Sequence, residues 1–220
     1  MKRTGPDAAS ARRWGWLALV GLSAWSAGCR NSAPPVEEFL LAPLPDALAA
    51  PAAARAAAGP SVRVVPLRPR GFLDRREIGW REGAVRAGPY HYKRWGEAPA
   101  EAVTRQLVEL LRARERFAAV DARAEAEGEM VVAGELLGLH EECAEDGSAP
   151  HGVAAIEYRM EWLDPVTGTR RESSPRLITR RVAVADASLA ALAAAISTAL
   201  HQVLEEIALQ LEASAAQAAE

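Results

Sequence analysis

The chain has 220 residues, of which 50% are hydrophobic and 25% charged, with a formal net charge of -3. That is enough for one domain with a proper core and hardly enough for two. It excludes the low-hydrophobicity, high-charge profile of a disordered protein, and no basic excess points to nucleic acid.

The first segment stands apart. Lys2, Arg3, Arg12 and Arg13 precede an uncharged apolar stretch over residues 14–25, and Ser26-Ala27-Gly28-Cys29 follows. A basic head, a short apolar run and small residues at a boundary spell a secretory signal, too short to span a bilayer as a stable helix. The Cys29 motif resembles the lipobox of bacterial lipoproteins, in which the chain is cut before the cysteine and the thiol receives a diacylglycerol. It departs from that pattern at Ser26, where leucine is usual. An uncleaved signal anchor, or ordinary cleavage that leaves Cys29 a plain thiol, are the alternatives. With the signal (1–28) removed, Cys143 has no partner for an internal disulfide. Its acidic neighbours Glu141, Glu142, Glu145 and Asp146 should raise its pKa, so a bystander thiol is expected.

Residues 29–60 are mostly Ala and Pro, with prolines at 34, 35, 43, 45, 51 and 60, and read as a tether. Glu38-Phe39-Leu40-Leu41 is an island within it that could form a short edge strand. The folded domain is placed at 61–213. Val62, Val64 and Val65 before Pro66 make a short strand. A turn and strand follow from Phe72 to about Arg81, then a hairpin turn over 83–89. A returning strand over 90–95 puts Tyr90 and Tyr92 on one face. Pro99 opens a helix whose stripe is Val103, Leu107, Leu110 and Leu111. Residues 117–120 read as a brief strand or turn and 130–139 as a strand. Residues 140–151 read as a polar hairpin loop. Ala154, Ile156, Tyr158, Met160 and Trp162 alternate with polar residues in the clearest strand of the chain. A turn at 164–168 leads to strands at 169–172 and 177–184. Asp186 or Ser188 caps a last helix with Leu189, Leu192, Ile196, Leu200, Val203, Ile207 and Leu211 at helical spacing. The tail 214–220 is expected to fray. The order predicts an α+β domain: a mostly antiparallel sheet with two amphipathic helices on one face.

Little in the chain signals catalysis. His140, Glu141, Glu142 and Cys143, with His151 across the loop, have ligand types that suit a transition metal. No HExxH or CxxC spacing supports a site there, and a solvated loop is the plainer reading. There is no GxSxG elbow, Walker loop or GxGxxG turn. Arg75, Arg76, Arg170, Arg171, Arg180 and Arg181 read as solvated faces and edge guards, with contacts to a partner or to lipid phosphates as the alternative. No metal and no cofactor are expected.

Several segments in common order resemble the ABC-type transport auxiliary lipoproteins, a PqiC-like family. Leu73-Asp74-Arg75 followed by Ile78 is similar to the family's strand-opening segment, and Trp95 with Glu97 to the segment that opens its helix. Phe72, Arg76 and Ala98-Pro99 depart from the usual residues. Trp162-Leu163-Asp164-Pro165 and the closing helix through Leu204-Glu205-Glu206-Ile207-Ala208 fit too, as does Phe39-Leu40-Leu41 after the cysteine. The resemblance implies a non-catalytic accessory lipoprotein of an MCE/ABC-type system that moves lipids or other hydrophobic molecules between membranes. Its implied partners are an MCE-domain protein with an ABC permease and ATPase. It also implies a homo-oligomer or ring, a lipid anchor on the periplasmic face of the outer membrane, and no nucleic acid. Arg30 after the cysteine is compatible with outer-membrane sorting. Tyr90, Tyr92 and Trp95 are the candidate partner or oligomer contacts, because aromatics are enriched at interface cores; for Trp95 a core role is the favoured reading. The alternative function is a periplasmic lipoprotein that scaffolds or activates a cell-envelope enzyme.

Overall fold

The computed structural model describes residues 34–49, 59–123, 128–143, 149–164 and 167–218. The signal, Cys29 and residues 50–58 of the expected tether lie outside the described residues. Residues Val36–Glu220 make one compact unit. In chain order its elements are β1 (Glu37–Phe39), α1 (Asp46–Ala49), β2 (Val62–Val64), β3 (Arg68–Pro69), a 3-10 turn (Gly71–Asp74), β4 (Glu77–Glu82) and β5 (Arg86–Trp95). After these come α2 (Pro99–Ala113), β6 (Val120–Asp121), β7 (Met130–Cys143), β8 (His151–Leu163), β9 (Arg170–Glu172), β10 (Arg176–Ala183) and α3 (Leu189–Ala218).

The described strands form one ten-stranded sheet built around β7. One edge of β7 pairs antiparallel with β8 along nearly its whole length. Its other edge is shared by β2, β3 and β4, all parallel to it. Beyond β4 lie β5, antiparallel, and β1, parallel to β5. Beyond β8 lie β10 and β9, both antiparallel, and β6 runs parallel to β2. The sheet is therefore mixed, which corrects the expected mostly antiparallel one. The physical reason is the connectivity. β2, β3 and β4 follow one another along the same edge instead of folding back as hairpins, and α2 supplies the crossover that parallel pairing with β7 requires.

Register decides the faces. Val62 and Val64 stand opposite Met130 and Val132, which stand opposite Trp162 and Met160. With Leu136, Leu139, Ala154, Ile156 and Tyr158 they form the core shared with both helices, all buried except Trp162, which packs against it partly buried. α3 lies on β8 and β10, and α2 lies beside α3. Ser188 Oγ accepts the Ala191 N–H at 3.1 Å, capping α3. Its Ala-rich sequence favours the helix, and Leu192, Ile196, Leu200, Val203, Leu204, Ile207 and Leu211 are all buried. Residues 189–217 are long and apolar enough to cross a membrane, but 67% of that segment's most apolar window is buried, as in a core helix. Gly152 permits the close approach of α3: a Cβ there would lie 2.4 Å from the Ile196 nitrogen.

Four further boundaries differ from the sequence reading. First, the compact unit begins at Val36, because the apolar island folds onto the domain. Gly96 N–H donates to Phe39 O at 2.7 Å, Leu41 is buried, and Leu44 and Leu48 pack against the core. Second, residues 140–143 are strand, since β4 pairs with all four and β8 with 140–142 on the other edge. Third, the β4–β5 turn is only residues 83–85, with Gly83 at φ 59°. Fourth, α3 continues to Ala218, helped by its alanines and by the Ser214 hydroxyl donating to Gln210 O at 2.9 Å.

Candidate interaction hairpin

The aromatic residues singled out in the sequence fall on β5 but not in one environment. Trp95 is 2% exposed and belongs to the core. Arg76 ties the strand end down: Nε donates to Trp95 O at 2.9 Å and Nη2 to Gly96 O at 2.5 Å. Tyr92 is 43% exposed. Tyr90 is half-buried, its hydroxyl donates to Glu141 Oε2, and Lys93 Nζ sits 3.9 Å above its ring. Burial and the hydrogen bond to Glu141 raise the Tyr90 pKa, so the phenol stays a donor. Trp95 is thus core support, while Tyr90 and Tyr92 lie on an accessible strand.

That strand carries a bulge. The β4–β5 ladder passes from Gly79↔Pro89 to Glu77↔Arg94, so residues 90–93 stand out from the ladder. On the outer edge, β1 pairs only with Lys93, Arg94 and Trp95. From Arg86 to Tyr92 the outer edge has no strand partner among the described residues. The turn exposes Val85 at 92%. Arg86 packs over the Trp80 ring at 5.9 Å and pairs with Glu82 at 2.5 Å. Sequence reasoning missed Trp80, Val85 and Arg86. The available signal was a tight Gly83 turn between two aromatic-bearing strands, obscured by taking the turn as seven residues.

The suspected ligand cluster is split by strand alternation. His140 and Glu142 face one side of β7, Glu141 and Cys143 the other. His140 is buried beside the Phe72 ring, and burial pulls its pKa down to about 4. Glu142 pairs with Arg181. Burial first, then Glu141 and Glu82, raise the Cys143 pKa, which disfavours the reactive thiolate. Among the described residues no group of three or more His, Cys, Asp or Glu could hold a metal. On the helix-free face an open groove of about 250 Å³ runs between Arg63 and Arg68 on one side and Glu157, Arg159 and Glu161 on the other. Most of the arginines expected on solvated faces are engaged with carboxylates: Arg180 with Glu206, Arg181 with Glu142, Arg171 with Asp164, and Arg76 with Glu38.

One helical layer on a mixed sheet, with an edge hairpin whose outer strand is only partly paired, defines an α+β domain. Among solved structures it is similar to protein XCC0632 from Xanthomonas campestris (TM-score 0.66, 20% identity, 82% of this chain and 98% of that one). It is also similar to an uncharacterized protein (TM-score 0.59, 12% identity, 80% of this chain and 99% of that one). At these identities the likeness shows the fold. No curated protein matches the chain. Residues 40–208 match the family described as the ABC-type transport auxiliary lipoprotein component, and the chain belongs to that family.

Proposed function

We propose that this is a non-catalytic accessory lipoprotein of an MCE/ABC-type system for intermembrane transport of lipids or other hydrophobic molecules. In this reading residues 1–28 export it, and Cys29 carries the lipid anchor at the periplasmic face of the outer membrane. The domain docks to an MCE-domain protein and assembles with copies of itself, with Tyr90 and Tyr92 at the contact and Trp95 supporting them from the core. The observation that carries it is the family match, which runs from the N-terminal arm to the last helix. The open β5 edge supports a docking role, because unpaired strand N–H and C=O groups are a template for a partner chain.

The test is a cross-linked pull-down of the tagged, lipidated protein from membranes, read by mass spectrometry. Recovery of an MCE-domain protein, reduced by Tyr92→Ala in a folded domain, is the expected result. Recovery of cell-wall enzymes alone, under conditions that retain a known transport complex, would overturn it.

A further inference from the structure

The direction of β1 carries information about how the domain meets its membrane. β1 is parallel to β5, with Glu37 opposite Lys93 and Phe39 opposite Trp95. The N-terminal end of β1 therefore points the way β5 points at its own start, towards the β4–β5 turn. Eight Cα-to-Cα steps lead from Cys29 to Glu37. Fully extended, they reach at most about 29 Å. The same number of steps separates Lys93 from Val85, a strand length of up to about 26 Å. A Cys29 anchor held in a bilayer can thus draw level with the hairpin turn but scarcely beyond it.

The short reach depends on the arm being fastened to the domain. Ala42 is gripped from both helices: its N–H donates to Ser197 Oγ at 3.0 Å, and its C=O accepts from Gln106 Nε2 at 2.9 Å. His201 Nε2 lies 3.1 Å from the same carbonyl. Without this clamp the tether would run on towards residue 60 and the domain could stand well away.

The hairpin has the chemistry of a bilayer interface. Val85 is exposed at its tip beside Ala84, Trp80 lies just behind on β4 opposite Gly88, and Arg81 and Arg86 are the exposed cations beside the turn. Aromatic residues favour the headgroup level, and cations favour lipid phosphates. Of the described carboxylates nearest the turn, Glu82 pairs with Arg86, Glu141 accepts from the Tyr90 hydroxyl and Glu142 pairs with Arg181, while Glu37 lies farther off, opposite Lys93. Glu145 and Asp146, in the β7–β8 connection, lie outside the described residues.

We infer that the β4–β5 hairpin is a second membrane contact, seated in the headgroup layer of an anionic bilayer, with Val85 at the acyl boundary. The inference rests on the lipid anchor at Cys29. The experiment uses the full lipidated protein in vesicles of phosphatidylglycerol and phosphatidylethanolamine, carrying Cys143→Ser and an environment-sensitive fluorophore on Ala84→Cys. Mass spectrometry of the same sample reads lipidation of Cys29. The expected result is a blue shift and quenching by lipids brominated on their acyl chains. A probe on Ala118→Cys, at the opposite end of the sheet, should show neither. The Ala84 quenching should be lost with Arg81→Glu and Arg86→Glu together. Equal, weak quenching at both positions with Cys29 lipidated would overturn the hairpin contact and leave the anchor standing. An unlipidated Cys29 would overturn the anchor itself, and the contact with it.

Discussion

Tyr90, Tyr92 and Trp95 share a strand but not a role, and substitution separates them. Trp95 is buried in the core, so Trp95→Ala should lower stability by about 3–5 kcal/mol. Trp95→Phe should cost much less, because the indole Nε1–H has no acceptor among the described residues. Tyr92→Ala should stay within about 0.5 kcal/mol of the parent. Chemical denaturation of the three variants checks this; a large loss for Tyr92→Ala would mean that its ring supports the fold. His140 gives the domain a pH dependence. Its folded pKa, held near 4 mainly by burial, lies below the usual 6.5. Between those values the unfolded chain binds the extra proton, so stability is full above pH 6.5 and falls as the pH drops towards 4. His140→Gln should flatten that part of the stability curve, read as urea midpoints at pH 4.5 and pH 7. The core role of Trp95 is legible in the sequence. The buried state of His140 is not, because it depends on Phe72 reaching it from a distant turn and on β4 pairing beside it.

At the scale of elements, periodicity finds both long helices and the β8 alternation, since a buried stripe or face imposes its own spacing on the sequence. It cannot give strand direction. A parallel and an antiparallel partner ask for similar residues, and β2, β3 and β4 take their direction from where the chain enters, far along the sequence. Nor can it show how closely elements pack. Gly152 reads as a weak point in a strand, yet it is where α3 meets β8. Gly152→Ala should push the helix off the sheet and cost on the order of 1–3 kcal/mol, measured by thermal unfolding. Retention of the parent melting temperature would mean the helix slides without loss. Arg114 at the end of α2 makes a second tie, with Glu205 at 3.5 Å and Glu212 at 3.2 Å on α3. The turn after it is completed by Glu115 in a left-handed backbone, φ 51°.

For the whole molecule, the decisive feature is where the domain begins. Composition makes residues 29–60 look like one tether, because alanine and proline dominate, and Phe39-Leu40-Leu41 is the only contrary signal. In the fold, that island and the residues after it are held by the β1 ladder, by Leu41 in the core, and by the Ser197, Gln106 and His201 contacts to Ala42. These contacts bridge the sheet edge and both helices, so the arm can leave only when several elements lose partners at once. Its amides should therefore exchange with solvent through the same large opening as the sheet, not through local fraying. In native-state hydrogen exchange the N–H groups of Ala42 and Gly96 should be protected alongside those of β7 and β8. Ser197→Ala removes the acceptor of the Ala42 N–H and should leave that amide the least protected of the arm, while the amides of β8 should speed by no more than about fivefold, the effect of losing about 1 kcal/mol for a single neutral hydrogen bond. Unprotected arm amides beside a protected sheet would show instead that the arm is a loose tether, and the free length between Cys29 and the domain would then be set by residue 60 and not by Glu37.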